Sequence, residues 1–356
     1  MKVLFRADAG PHIGLGHVQR SLSLANALKK LGVESVFLTN SGNSHGERIK
    51  RSGFPVHPLN ETESWTSGDA KATLEAAEQQ GCAAMVVDSH EAGTNYLTQL
   101  RNAGVFVVVR DDLALFSFSC QVVVNGNADA HELPYRSTTE DTVFLLGTEY
   151  IVLRDEFGEA PSRPKSSVQN ILVILGGTDE HNLMPGILDE LDALPGDFSV
   201  TAVVGPFFHN ATAIKSAVEK AHRPMKLVYG PDSVHGLMLD ADLAISAAGQ
   251  TLYELASVGC PTVAISVAPN QRGQLKALQD AGALVSAGDV ESDDVITGVA
   301  RELTGLLDDV KVRQDMAKVG RSLVDGSGAC RVARAIVTEI RRSTKLDAPS
   351  HSEHII

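Results

Sequence analysis

Short runs of β-branched and aliphatic residues recur along the first half of the chain: "KVLF", "SVFL", "AAMVV" and "VFVVV". Between them lie stretches with apolar residues at three- and four-residue spacing, the period of a half-buried helix. That alternation leaves few folds open, because strand–helix–strand units build a mostly parallel sheet. Near residue 158 the texture changes to "GEAPSRPKSS", Pro, Ser and charge without period, which reads as a linker over 158–168. The same grammar then restarts with "NILVILGGTD", "FSVTAVVG", "KLVYG", "ADLAISAAG", "PTVAISV" and "ALVSAG". The expected architecture is α/β, with two Rossmann-like domains, 1–157 and 169–325, facing a central cleft. A helix over 326–343 is expected to return to the first domain, with a frayed tail over 344–356. A length of 356 residues and an apolar fraction of 43% supply two cores.

Charge narrows the partners. With 44 acidic against 31 basic side chains the formal net charge is -13, which argues against nucleic acid or an anionic membrane as the main partner. A phosphorylated small molecule stays open, since a helix N-terminus binds an anion locally whatever the global charge. Cys82, Cys120, Cys260 and Cys330 lie far apart without zinc-site spacing, and read as reduced thiols of a cytosolic protein. The opening "MKVLFRADAG" does not read as a secretory leader, because Arg6 and Asp8 break its apolar run. No stretch approaches the ~20 apolar residues of a membrane span, so stable insertion is not expected and the location is read as cytoplasmic.

Open parallel sheets bind ligands beyond the carboxyl ends of their strands. "VLFRADAG" ends the first strand, and "GHVQRSLSLANALKKLG" is a helix with Gly32 as its C-cap. The turn between them carries Gly10, Gly14 and Gly16, which let backbone approach a ligand and expose helix-start N–H donors. His17 stands in the first turn of that helix. The positive end of the helix dipole favours neutral imidazole there, the form a general base needs. A plain helix cap is the competing role for the same ring. Arg6, Asp8, Gly14, Gly16 and Arg20 are the neighbouring candidates for substrate contact. Asp8 either orients His17 or pairs with Arg20, and the pair is favoured because Arg20 needs a partner.

The second half repeats the device. In "DLAISAAGQTLYELASVGCP" a strand runs from Leu243 to Ser246, and Ala247, Ala248 and Gly249 form a small-residue turn. Gln250 and Thr251 then open a helix, an anion site suited to a diphosphate. Glu254, one turn later, could accept ribose hydroxyls or simply favour the helix dipole. Gly176, Gly177 and Thr178 occupy the corresponding turn in "LVILGGTD", and Asn270 and Gln271 in "VAPNQRGQ" offer amides to sugar hydroxyls or acetamido groups.

Taken in order, "RADAGPHIGLGHVQRSLSLANAL", "VVDSHEAG", "VVRDDLA", "GTEYIVLRDEF", "ILVILGGTDEHN", "ADLAISAAGQTLYELASVGCPTVAISVAPNQ" and "VDGSGACRV" resemble the UDP-2,4-diacetamido-2,4,6-trideoxy-altropyranose hydrolases of pseudaminic acid biosynthesis. That family is similar in fold to the glycosyltransferase-B (GT-B) class, and the likeness spans the chain to about residue 340. The resemblance implies a UDP-sugar substrate, His17 as the base that activates water at the anomeric carbon, and Asn270 near the sugar. By analogy with the transferases it implies Glu254 on ribose. The chain departs from the family's D-H-Y, where it has Asp88, Ser89 and His90, so His90 stands where a tyrosine is expected. Pro269 replaces the aspartate of D-N-Q, Ala248 a glycine, and Asp155 the proline of L-R-P-E-F. These changes bear on the sugar more than on the nucleotide.

The function expected is inverting hydrolysis of a UDP-linked diacetamido-deoxy sugar, with UDP and free sugar as products. No metal and no cofactor are called for, since no carboxylate cluster is placed beside the phosphates. A GT-B glycosyltransferase using the same site, or a silent sugar-nucleotide binder, are the alternatives.

Overall fold

The structure, a computed structural model, describes residues 1–7, 16–40, 44–59, 64–158, 166–291 and 294–346. Packing divides the chain into two units: Met1–Gly126 with Glu132–Leu146 and the chain from Gly328, and Asn127–His131 with Gly147–Ser327.

In the first unit the chain runs β1 (Lys2–Ala7), α1 (Gly16–Lys30), β2 (Glu34–Asn40), α2 (Ser44–Arg51), β3 (Val56–Leu59), α3 (Ser67–Gln79), β4 (Ala84–Asp88), α4 (Thr94–Asn102) and β5 (Phe106–Arg110). It continues through β6 (Ser117–Phe118), β7 (Val122–Asn125), β8 (Arg136–Ser137) and β9 (Val143–Leu146). The described strands order as β3-β2-β1-β4-β5-β7-β9, all parallel, with β6 and β8 paired apart from them. Strands covered on both faces need unbroken apolar runs, which is why "AMVVD" and "FVVVR" are buried from end to end. Leu4, Val36, Met85 and Val107 meet Leu97 and Leu100 of α4 in one core. On β1 the alternate residue Phe5 instead stacks on Phe37, ring centroids 4.9 Å apart.

The second unit runs β10 (Asn170–Ile174), α5 (Leu183–Ala193), β11 (Ser199–Val204), α6 (Ala211–Lys220), β12 (Met225–Tyr229), α7 (His235–Asp240) and β13 (Leu243–Ala247). Then come α8 (Thr251–Val258), β14 (Thr262–Ser266), α9 (Arg272–Asp280), β15 (Val285–Asp289), α10 (Val295–Asp308) and α11 (Val310–Leu323). Its parallel strands order as β12-β11-β10-β13-β14-β15. The chain closes with α12 (Gly328–Leu346), which packs on α1 in the first unit and buries Val332, Ala333, Ile336 and Ile340.

Gly147–Phe157 packs with the second unit, upstream of the 157 boundary read from composition. The reason is apolar: Ile151, Leu153 and Phe157 are buried with Leu252, Leu255 and Val324. Of the 158–168 linker, residues 159–165 lie outside the described residues, as do 347–356 of the tail.

In both units the order reverses direction beside the first strand, β1 flanked by β2 and β4, and β10 by β11 and β13. Successive crossovers leave in opposite directions there, so a crevice opens at the carboxyl ends of that strand pair. One close approach shapes the second crevice. A Cβ built on Gly205, just past β11, would lie 2.6 Å from the carbonyl oxygens of Gly176 and Gly177. Backbone cannot yield as a flexible side chain can, so Gly205→Ala is expected to destabilise the protein by about 1–3 kcal/mol in urea unfolding. Gly236→Ala, in α7 with nothing within 4 Å of its Cβ, serves as the near-neutral control.

Candidate active site

The first unit gathers its charges at the carboxyl ends of β1, β4 and β5. His17, Arg20 and Ser21 fall at i, i+3 and i+4 on α1, which puts them on one helix face. Asp88, the last residue of β4, meets all three. The His17 ring nitrogen Nδ1 is 2.7 Å from Asp88 Oδ1, Arg20 Nε donates to Asp88 Oδ2 at 2.8 Å, and Ser21 Oγ donates to the same oxygen at 3.3 Å. Arg20 Nη2 also donates to Asp88 Oδ1, and Arg20 Nη1 donates to Asp112 Oδ2 at 2.7 Å. His90, just past β4, brings its Nε2 to 3.5 Å from the same oxygen of Asp112, just past β5.

A carboxylate only accepts, so the nitrogen of His17 that faces Asp88 carries the hydrogen. In the neutral ring Nε2 is then the acceptor, on a side chain that is 12% exposed; Arg20 Nη2 also lies 3.0 Å from Nδ1. Burial pushes the Asp88 carboxyl up, but Arg20 and then His17 more than offset it and hold it below the usual carboxylate range. Asp112 is likewise held low, with Arg20 and His90 outweighing its burial, and Arg20 is raised by the two carboxylates against its own burial.

Among the described residues Arg20 takes Asp88 and Asp112 as partners; the pairing with Asp8 favoured from spacing, like Gly14, lies outside the described residues. Arg6, expected on substrate, is instead fully buried: its Nη2 donates to Asp69 Oδ2 at 3.1 Å, and its guanidinium stacks 4.4 Å from the Trp65 ring centre. A charge in the interior needs such a partner, and β alternation turns Arg6 toward it. Asp88 and Asp112 were not singled out as site residues, because nothing local marks an acid 71 residues from His17 as its partner. The signals they share are place, each falling at or just past the end of a buried apolar run, and membership of the motifs "VVDSHEAG" and "VVRDDLA". Gly16 opens α1, and among the described residues no atom lies within 4 Å of a Cβ built there.

The second unit builds its site from backbone. A pocket of about 340 Å³ opens at the ends of β10, β13 and β14. Gly176, Gly177, Thr178, Gly249, Gln250, Thr251 and Gln271 line it, so seven of the expected residues converge there. Gly176 has φ +90°, a conformation that glycine tolerates. Two of the side chains are committed: Gln250 Nε2 donates to the Val152 carbonyl at 3.1 Å, and Gln271 Oε1 accepts from Val267 N–H at 3.0 Å. Asp179 and His181 also line the pocket and were not expected. Asp179 accepts from Leu183 and Met184 N–H at 2.8 and 3.0 Å and so caps α5.

Ala248, Asn270 and Glu254 stand outside this lining. Ala248 is core, its carbonyl accepting from Gln274 Nε2 at 2.7 Å. Asn270 is exposed in the turn after β14. Glu254 is buried on α8 with Arg154 Nη2 3.5 Å from its Oε1, and Arg154 also holds Glu156 at 3.0 Å. Burial pushes the Glu254 carboxyl up to about 7, which Arg154 only partly offsets.

No family model matches the chain. Solved structures similar to it include MurG of Acinetobacter baumannii, at TM-score 0.68 and 17% identity over 95% of this chain and 99% of that one. A UDP-GlcNAc 2-epimerase of Neisseria meningitidis, bound to UDP-GlcNAc, has TM-score 0.62 at 14% identity over 95% and 100%. The fold is GT-B-like. Among curated proteins the chain is 27% identical to the spore coat polysaccharide biosynthesis protein SpsG of Bacillus subtilis, over 93% of this chain and 96% of that protein. It is 23% identical to the UDP-2,4-diacetamido-2,4,6-trideoxy-beta-L-altropyranose hydrolase of Campylobacter jejuni, over 76% and 93%. An uncharacterized protein of Methanocaldococcus jannaschii is 27% identical over 74% of this chain, which spans about half, 55%, of that protein's length. The similarity to the hydrolases read from the motifs is thus matched along the chain. No described helix is long and apolar enough to cross a membrane.

Glu254 supplies a pH test. Its folded-state value lies above the ordinary 4.5, so the protonated acid favours the folded chain and that advantage is lost as pH rises through about 7. Glu254→Gln, which removes the charge, is expected to gain stability on the order of 2 kcal/mol over wild type near about pH 9 and almost nothing near about pH 4, read by thermal melts.

Proposed function

We propose that this chain hydrolyses a UDP-linked diacetamido-deoxy sugar at its anomeric carbon, releasing UDP and the free sugar for nonulosonic (pseudaminic-type) acid synthesis. The observation that carries the reading is the His17–Asp88 pair, which fixes one ring nitrogen and leaves Nε2 to accept a proton. Each unit has its own task. The second grips the nucleotide through the glycine turns and the start of α8, where unpaired N–H groups suit a diphosphate; Glu254 serves the ribose and Asn270 the sugar. The first supplies the base.

In the reaction a water oxygen bonds to the anomeric carbon from the face opposite the diphosphate. The carbon–oxygen bond to the β-phosphate breaks, UDP keeps the electron pair, and His17 Nε2 takes the water's proton. The configuration inverts. UDP leaves as a stable anion, so the chemistry asks for a placed base more than for an acid or a metal. Asp88 steadies the imidazolium that forms, as a buried carboxylate does behind other catalytic histidines. Similarity to the Campylobacter jejuni hydrolase supports the substrate class.

The test is UDP release from UDP-2,4-diacetamido sugars and UDP-GlcNAc with no acceptor present. Release in water alone supports the hydrolase, whereas release only after an acceptor alcohol is added assigns the site to a glycosyltransferase. His17→Ala is expected to lower kcat about 10²- to 10⁴-fold while calorimetry still shows UDP binding. Asp88→Asn, which frees the ring to take the other tautomer, is expected to lower kcat at least about 10²-fold. Unchanged turnover in His17→Ala rejects the base.

A further inference from the structure

Two imidazoles stand together in the first unit, and the reaction above uses one. The ring centres of His17 and His90 are 5.2 Å apart, edge to face at 70°. Each is backed by its own carboxylate, His17 by Asp88 and His90 by Asp112, and Arg20 spans the two acids. Along the series His17, Asp88, Arg20, Asp112, His90 the fixed charges alternate in sign.

Counting charge shows what is missing. Among the described residues the groups facing this set are Asp88, Asp111 and Asp112 on the acidic side, and Arg20 and Arg110 on the basic side. Three carboxylates against two guanidiniums leave one negative charge when both rings are neutral. Buried charge of one sign is costly, and a single proton on the pair cancels it. Geometry chooses the ring. Asp88 already takes two N–H groups of Arg20, whereas Asp112 takes one, and its buried Oδ1 has no hydrogen-bond donor among the described residues. His90 faces the less satisfied acid. Its approach to the Asp112 carboxylate, 3.5 Å from a buried Nε2 that has no hydrogen-bond partner among the described residues, raises its proton affinity above the ordinary histidine value, against the opposing effects of burial and Arg20. With 31% of the side chain exposed, the ring keeps a face toward solvent.

We propose that this site holds one proton between its two imidazoles, carried by His90 against Asp112, and that turnover needs this cation beside His17 as that ring accepts the proton of water. The role in turnover rests on the hydrolase reading; the placement of the proton does not. A tyrosine in this position, as in the D-H-Y pattern, could donate a hydrogen bond but could not carry the charge.

The experiment is a histidine-¹⁵N NMR titration of the full chain, wild type and Asp112→Asn, with His90→Gln to assign the signal. His90 is expected to titrate above the ordinary value of about 6.5, and to fall by about one unit or more in Asp112→Asn. A midpoint at or below the ordinary value, or one unmoved by Asp112→Asn, overturns the proposal. Turnover gives the second reading. His90→Gln keeps a donor without the charge, and should lower kcat about tenfold and remove the alkaline fall of kcat that tracks His90 in wild type. An unchanged kcat and alkaline limb overturn the catalytic part. A His90 that titrates high in a protein that releases no UDP rejects the hydrolase reading and supports the proton assignment.

Discussion

Asp88 organises the first unit's site. A carboxylate that is 1% exposed is tolerated only with close donors, and three turn toward it from one face of α1. The spacing of those donors is a property of the helix, and the position of the acid is a property of the sheet. β4 lies directly beside β1, with Asp88 in register with Ala7. The chain that leaves Ala7 returns as α1, so the strand end and the helix start are brought together by the crossover. Moving the acid one residue along β4 would turn it to the other sheet face and leave Arg20 buried with half its partners.

The two units solve different problems with the same topology. At the β1/β4 crevice the first places charged side chains that hold one another, which sets ring orientation and tautomer before any ligand arrives. The second places glycine turns and a helix start at the β10/β13 crevice. In the proposed function the diphosphate is held there by backbone N–H groups, while the side chains Gln250 and Gln271 secure the surrounding loops. The proposed anion site is compatible with a chain of net charge -13, because such attraction is local and directional and the acidic residues that set the total are spread over the sequence.

Much of this was readable from the chain. The β-branched runs announced both sheets because parallel strands buried on two faces need little else, and the glycine turns stood out because they follow those runs directly. His17 was conspicuous for the same reason. Arg6 was misread because a charged residue near a strand end looks like a ligand contact until the sheet shows which face it takes; Asp69 and Trp65 lie on that face. Ala248 was placed in the right turn, but its side chain fills the core, whereas its neighbours Gly249 and Gln250 line the pocket. The packing boundary at Gly147 was hidden because Ile151, Leu153 and Phe157 follow the last strand of the first unit without any break in composition.

The sequence by itself determined the two parallel sheets, the Gly176–Gly177 turn of the second and the helix that carries His17, because each depends on periods of two to four residues or on conformations only glycine takes freely. Tertiary structure alone decided which acid holds which base. Asp88 and Asp112 meet Arg20 across 68 and 92 residues, and local patterning carries no record of contacts at that range. Strand order and register create them, and the cost of burying an unpaired charge keeps them.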